Sequence, residues 1–436
     1  MRLLRTSEEI MKVEIKPSRA IGSVKVPSSK SMAHRLLICA ALADGVSKIS
    51  GISSCEDVSA TLDCLKSLGI EYEECDGEIT VFGKDISRVT PTSPLNCRES
   101  GSTLRFLIPV ALLSGKTTLF YGEKSLFRRP MSVYEKLCAE CGMTYINDGS
   151  SIAVKGPLDG GSFEVVGNIS SQFISGLLFA LPLCKRDSTV KIISAIESRS
   201  YIDMTIEALR SFGVTVSWSD EHTLFIKGNQ RYTPKSLCVE GDWSGAAFPD
   251  ALNLFGGSVT LLGLNPDTIQ GDRVYKRYFD MLTAGVPSIH IGDCPDLGPI
   301  LFAVAAAKCG GIFSGTKRLK IKESDRAAAM AEELSKFGAT VAVHEDSVVV
   351  YPTDFHAPTE TLYGHNDHRI VMALSVLLTV TGGEIEGAEA VSKSYPEFFS
   401  HLDSLGIEVI SGDVSGMREK MKNSTSRRSL FDKPAK

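Results

Sequence analysis

One pattern recurs six times along the 436-residue chain and narrows the folds open to it. An amphipathic helix stops at a glycine, and a short alternating strand follows. The segments are TLDCLKSLGIEYEE, VYEKLCAECGMTYI, TIEALRSFGVTVSW, YKRYFDMLTAGVPSIHI, MAEELSKFGATVAV and FFSHLDSLGIEVI. Their glycines, Gly69, Gly142, Gly213, Gly285, Gly338 and Gly406, lie 73, 71, 72, 53 and 68 residues apart. Glycine just past a helix supplies the left-handed conformation that closes it. In EITVFG, SIAVKG, TLFIKG and SVVVYP a second alternating strand is expected after a turn.

A second element keeps the same beat. A short polar or glycine-containing loop opens a nearly all-apolar helix: SSKSMAHRLLICAALA, ESGSTLRFLIPVALL, SSQFISGLLFALPL, DWSGAAFPDALNLF, PDLGPILFAVAAA and NDHRIVMALSVLLTV. With Lys30, Gly101, Ser171, Trp243, Leu297 and His368 as markers, the steps are 71, 70, 72, 54 and 71. Both series shorten at the same step, so they describe one repeating unit. A helix apolar all round has to be buried. Each unit therefore reads strand, buried helix, strand, amphipathic helix, strand, strand, an α/β pattern. Three units make a domain of about 210 residues. Six make two domains, split near Glu240, and residues 413–436 form a basic, aperiodic tail expected to be mobile.

Composition excludes several classes of function. At 43% hydrophobic and 23% charged, the chain is too apolar to be disordered. A net charge of −5 does not suit a general nucleic-acid binder, so an anionic partner has to be met by a local basic cluster. No apolar run approaches the roughly 18–20 residues that span a bilayer. MRLLRTSEEIMKVEIKPS lacks the apolar stretch of a secretory signal. The 11 cysteines sit mostly in apolar segments, and the C-x-x-C at Cys138–Cys141 has no second pair. These features predict a soluble protein of a reducing compartment, without nucleic-acid or membrane partners.

The chemistry gathers where the buried helices open. Helix N-termini carry unpaired N–H groups and partial positive charge, which makes them anion sites. Here they hold Lys30 and Ser31; Gly101 and Ser102; Ser170, Ser171 and Gln172; Asp296; and His368 and Arg369. Any single serine reads equally well as an N-cap. Their recurrence at one structural position points to a shared cleft between the domains. Arg35 lies one turn beyond Ser31, Arg128 and Arg129 precede Pro130, and Lys322 and Arg326 share a helical face. Arg369 and Lys393 add charge in the last unit, so the ligands should be small polyanions. Asp296 and Glu323, set among these cations, suit proton transfer. His365 and His368 stand at i, i+3 without further ligands, and phosphate-loop, nucleophile-elbow and dinucleotide motifs are missing. No metal or cofactor is expected.

Eight segments in order, KVPSSKSMAHRLLICAALADG, RESGSTLRFLIP, the RRP at 128–130, NISSQFISGLLFALPL, ESRSYIDMT, IKESDRAAAMAEELSKFGA, NDHRIVMAL and SKSYPEFFSHL, resemble those of the 5-enolpyruvylshikimate-3-phosphate (EPSP) synthase family, the 3-phosphoshikimate 1-carboxyvinyltransferases. The likeness runs from about Lys16 to Ile410. It implies the enolpyruvyl transferase fold, an inside-out α/β barrel of two similar domains, each of three βαβαββ repeats around buried helices. The first strand should cross to the second domain, giving domains 27–240 and 12–26 plus 241–412.

The same resemblance implies transfer of the enolpyruvyl group of phosphoenolpyruvate to the 5-hydroxyl of shikimate 3-phosphate, with release of phosphate. Asp296, Glu323 and Lys30 would be catalytic. Shikimate 3-phosphate would meet Lys30, Ser31, Arg35, Ser170, Ser171, Gln172, Ser198, Tyr201, Asp296, Arg318 and Lys322. Phosphoenolpyruvate would meet Lys30, Gly101, Arg129, Gln172, Arg326, Arg369 and Lys393. Glyphosate would inhibit, and a cytoplasmic monomer is implied. Two positions depart from the family pattern. Glu99 and Arg318 each stand where asparagine is usual, and Glu99 should repel phosphoenolpyruvate unless Arg98, Arg105 or a backbone donor turns it away. The related UDP-N-acetylglucosamine transferase usually carries a cysteine in the loop that here reads SLFRRP. A non-catalytic polyanion-binding repeat protein would keep the cations and have no use for Asp296 or Glu323.

Overall fold

The computed structural model describes residues 10–86 and 90–411. The basic tail at 413–436 therefore lies outside the described residues. The six apolar helices form as expected: α1 (Lys30–Leu42), α2 (Gly101–Leu112), α3 (Ser171–Ala180), α4 (Trp243–Ala251), α5 (Gly298–Ala307) and α6 (His368–Thr381). Their burial is nearly complete: every residue of α1 from Met32 onward and every residue of α6 up to Thr379 is out of solvent. Burying a Leu, Ile or Phe side chain contributes about 1.5–3 kcal/mol. A helix such as GPILFAVAAA, which has no polar face, is stable only at the centre of a fold.

Two separate cores result. One contains buried residues from Met32 to Val239, and the other joins Val13–Val26 to residues from Trp243 to Ile407. Within them α2 packs on α3, and α5 on α6. The sheets lie outside the helices. Their strands alternate, as in Glu78–Gly83 and Ser162–Val165, with every second residue buried against a helix.

The second unit shows the common topology. Leu95–Asn96 runs parallel to Thr117–Tyr121, which pairs antiparallel with Ser151–Lys155, which pairs antiparallel with Thr144–Asn147. The third and fifth units repeat this strand order. In the sixth, the inner place after Gly383–Glu386 is taken by Lys12–Ile15, which also pairs with Val409–Ser411. The first strand does cross to the second half.

A second strand from the first 26 residues lies there too. Ile21–Lys25, ahead of α1, pairs with Ser258–Leu262, after α4. Ser236–Cys238, ahead of α4, pairs with Gly45–Ser50, after α1. The first and fourth units thus exchange the strands ahead of their buried helices. The two connecting segments pass side by side, joined by the antiparallel bridge Ser28–Gly241, by Ser29 N–H donating to Glu240 O at 2.7 Å and by Asp242 N–H donating to Pro27 O at 2.9 Å.

The fourth unit departs from the six-element pattern. Its sheet has two strands, and Ser288–His290, expected to close it, instead pairs parallel with Gly311–Ser314 as the first strand of the fifth unit. The missing hairpin accounts for the short step of 53 or 54 residues. Gly285 follows suit: its φ of 165° is extended backbone, whereas Gly69, Gly142, Gly213, Gly338 and Gly406 have φ between 67° and 87°. No helix among the described residues is long and apolar enough to cross a membrane.

Candidate active site

The helix openings are held by their caps. Ser29, Ser100, Ser170, Asp242 and Asp367 each accept, through the side chain, a backbone N–H of the first turn of α1, α2, α3, α4 and α6. In front of α5 a 3-10 turn, Pro295–Leu297, carries Asp296. All six openings face one cleft between the two cores. Eight cationic side chains and four carboxylates line it. The positive excess suits polyanionic ligands.

The second half supplies a network of charges. Asp296 Oδ1 accepts from Lys322 at 3.0 Å and from Arg326 Nη1 at 2.8 Å, while Arg369 Nη2 lies 3.2 Å from Oδ2. Arg326, 1% exposed, also donates to Glu323 at 2.6 Å and to Asp367 at 2.7 Å. Asp367 therefore caps α6 and anchors Arg326 at once. Burial works to raise the Asp296 carboxyl, but Arg369, Lys322 and Arg326 pull it well below the usual carboxylate range. Glu323 is likewise lowered against its burial, chiefly by Arg326 and Arg129. Both carboxylates are ionised at neutral pH.

The first half presents mainly neutral donors. With Ser29 and Ser100 occupied as caps, Ser31 and Ser102 are the serines of those openings that reach the lining. Ser170 caps α3 and also reaches the cleft beside Ser171. Gln172 is fixed at both ends, accepting from Arg105 at 2.8 Å and donating to Ser102 at 2.9 Å. Lys30 meets Asp57 at 2.8 Å, and this partner holds the ammonium charged although burial opposes it. Arg35 is tied to the protein by three hydrogen bonds, to Thr205 Oγ1, Ser31 O and Tyr201 O, and only its remaining N–H groups are open to a ligand.

Sixteen of the seventeen residues singled out from the sequence line this cleft: Lys30, Ser31, Arg35, Gly101, Arg129, Ser170, Ser171, Gln172, Ser198, Tyr201, Asp296, Arg318, Lys322, Glu323, Arg326 and Arg369. Lys393 does not; its ammonium is bonded to Glu99 and Asn366. Glu99 is indeed turned away from the cleft, though not by the groups expected. Arg98 pairs with Asp63 and Arg105 with Gln172, while Glu99 is held by Lys393, Ser125 and Asn366. Arg318 bridges the halves, donating to Ser198 Oγ at 2.8 Å beside Glu197 at 3.4 Å. Ser198 sits in the left-handed region at φ 57°.

Sequence reasoning missed Asp57, Arg105, Asp242 and Ser244 as lining residues. Asp242 and Ser244 had a signal, since they open the fourth buried helix just as the others open theirs. His368, expected at the opening of α6, does reach the cleft. The two histidines part company: His365 Nε2 bonds Glu333 at 2.9 Å, whereas His368 lies in the cleft wall with neither ring nitrogen bonded to protein. Burial holds His368 neutral.

The sequence matches the family model for EPSP synthase (3-phosphoshikimate 1-carboxyvinyltransferase) over residues 15–402. The chain belongs to the EPSP synthase family. It is 39% identical over 424 residues to the 3-phosphoshikimate 1-carboxyvinyltransferase of Clostridium kluyveri, covering 91% of this chain and 98% of that one. With the enzyme of Clostridium beijerinckii it shares 37% identity over 425 residues, 90% and 97% of the two chains. Among solved structures, an EPSP synthase from Acinetobacter baumannii superposes with a TM-score of 0.75 at 23% identity, over 92% of this chain and all of that one. The enolpyruvyl transferase NikO from Streptomyces tendae gives 0.72 at 14%, over 92% and 98%. These two show the shared fold. As an EPSP synthase the chain is a transferase that catalyses enolpyruvyl transfer in the shikimate pathway.

Proposed function

We propose that the cleft carries shikimate 3-phosphate mainly on the first half and phosphoenolpyruvate across both, with the sixteen lining residues in the roles the family resemblance implies. The observation that supports this most directly is Asp296, held ionised where the openings of α5 and α6 meet. Ser31, Ser170, Ser171 and Gln172 would hold the sugar phosphate at the starts of α1 and α3. Asp296 and Lys322 would take the ring hydroxyls. Arg129, Arg326 and Arg369 would take the anionic groups of phosphoenolpyruvate, with Lys30 between the ligands.

The chemistry is addition followed by elimination. The shikimate 5-oxygen bonds to C2 of phosphoenolpyruvate as its proton passes to Asp296, and C3 gains a proton from Glu323. In the second stage the C2–phosphate oxygen bond breaks, phosphate leaves with the electron pair, and C3 returns a proton, restoring the double bond. Glu323 begins ionised, so it has to collect the proton it delivers. Two anionic substrates offset Arg326 and Arg129 and raise the Glu323 carboxyl, so loading the site prepares its donor. The cations meanwhile stabilise the charge that develops on the departing phosphate.

The domains 27–240 and 12–26 plus 241–412 would close over the substrates about the paired segments near Ser28 and Gly241. Small-angle scattering should show compaction when shikimate 3-phosphate is added, and an unchanged profile would remove closure from the proposal. The decisive assay is phosphate release from phosphoenolpyruvate with shikimate 3-phosphate or a UDP-sugar as acceptor. Release only with the UDP-sugar would transfer the reading to the sister enzyme, and release with neither would leave a binding protein.

Glyphosate is the expected competitor of phosphoenolpyruvate. A Cβ on Gly101 would lie 3.0 Å from Arg129 Nη1 and 3.4 Å from Arg105 Nη1. Gly101→Ala should therefore displace the Arg129 guanidinium and weaken glyphosate inhibition more than substrate binding. Equal losses in the inhibition constant and in KM would contradict that. The reading is completed by a monomer acting in the cytoplasm.

A further inference from the structure

Lys393 and Glu99 belong to opposite halves and meet beside the opening of α2. The Lys393 ammonium has three N–H groups and three acceptors: Glu99 Oε2 at 2.5 Å, Asn366 O at 2.7 Å and Asn366 Oδ1 at 2.8 Å. The Glu99 carboxylate is equally well occupied. It accepts from Ser125 Oγ at 2.7 Å and from Asn366 Nδ2 at 3.2 and 3.4 Å. The side chains are 10% and 20% exposed, so solvent screens the pair only in part.

The backbone on both sides is held in uncommon conformations. Arg98, His365 and Asn366 are non-glycine residues at φ 49°, 49° and 53°. Such positions persist where surrounding contacts fix them. A second contact crosses close by, from Ser392 Oγ to Glu56 Oε1 at 2.8 Å. Glu99 directly precedes Ser100, the cap of α2, and the next residue is Gly101, the neighbour of Arg129.

We propose that Glu99, Asn366 and Lys393 form a latch between the two halves, in which Glu99 is a positioning residue that fixes the opening of α2 against the second half. Lys393 then acts on phosphoenolpyruvate through Glu99 rather than by touching it. The carboxylate that replaces the family's usual asparagine serves closure and is kept off the ligand by the same contacts. This goes beyond the assignment of ligand residues, because it places Lys393 outside the ligand shell.

The test is a double-mutant cycle on the full-length enzyme with Glu99→Gln, Lys393→Met and the pair together. Charge-assisted hydrogen bonds of this kind contribute enough that each single change should raise the KM for phosphoenolpyruvate about tenfold. The double variant should be no worse than the worse single, since one contact is lost in all three. Turnover at saturation and melting temperature should move little. With shikimate 3-phosphate bound, Glu99→Gln should scatter as a more open particle than the parent. Glu99→Asp, which keeps the charge with a shorter reach, should fall between parent and Glu99→Gln. A lower or unchanged KM in Glu99→Gln beside a raised KM in Lys393→Met would overturn the latch and make Lys393 a direct ligand. Additive losses in the double variant would overturn it as well.

Discussion

The two halves of the cleft are built from the same scaffold and furnished differently. In both, three buried helices open onto the cleft. On the first half the openings of α2 and α3 carry hydroxyls, a glycine and an amide, and α1 adds Ser31 to the paired Lys30. On the second half those of α5 and α6, joined by the segment from Arg318 to Arg326, carry a net of carboxylates and cations tied to one another by hydrogen bonds. The contrast teaches that the repeat fixes where a functional group can stand, while the residue placed there decides whether the position holds a ligand or moves a proton. A cradle of hydroxyls and an amide, backed by Lys30, Arg35, Arg105 and Arg129, suits an anion that has only to be bound. A cross-linked charge network suits groups whose protonation has to respond when ligands arrive.

The comparison can be broken most directly at Asp296. Asp296→Asn should lower kcat by about 10²–10⁴-fold, the usual range for a lost proton acceptor, with little rise in either KM. Removing a negative charge from a cationic cleft does not weaken anion binding. A raised KM with unaltered kcat would mean that the second half binds rather than catalyses.

A second test concerns a buried carboxyl where the halves meet. Asp272 accepts from Tyr201 Oη at 3.0 Å across the halves, has its other oxygen unbonded, and faces Asp296, Ser244, Arg369 and Asp242. Burial, helped by Asp296, pushes it up to about 6 from 3.8. The folded state therefore binds more protons than the unfolded one between those values, and stability falls as pH rises through that window. Above it the ionised form costs about 3 kcal/mol. Asp272→Asn stays neutral, so its melting temperature relative to the parent should climb between pH 4 and pH 7. Parallel melting curves across that range would show that Asp272 does not titrate there.

The smallest effect is expected on the first half. Ser171→Ala should raise the KM for shikimate 3-phosphate about tenfold, the worth of one hydrogen bond to a charged group, and leave kcat nearly intact. A fall in kcat to match Asp296→Asn would erase the functional difference between the halves.

Much of this was legible before any coordinates. Six buried helices and their openings follow from a repeat of about 70 residues, because periodicity and glycine stops are local signals, whereas lining residues such as Ser198, Tyr201 and Arg318 come from the family resemblance alone. Lys393 was legible as a cation but not as a committed one. Its partners Glu99 and Asn366 are 294 and 27 residues away, and nothing in the local sequence says that three acceptors surround it. Arg35 shows the same limit: its spacing from Ser31 was plain, its hydrogen bonds to Tyr201 and Thr205 were not. The partners of the exchanged strands are not legible either. A strand's pattern reports which face is buried and does not report which neighbour it pairs with.

By itself the sequence determined the unit, its count, the places where ligand groups stand and the polyanionic character of what they hold. Those properties depend on side-chain chemistry and on spacings within one helical turn or one strand. The tertiary structure alone decided that the first and fourth units exchange strands, that the fourth unit lacks its hairpin, and that Glu99 faces Lys393 instead of the cleft. Those depend on which surfaces meet after collapse, where strand pairing, burial and charge neutralisation act between residues hundreds of positions apart.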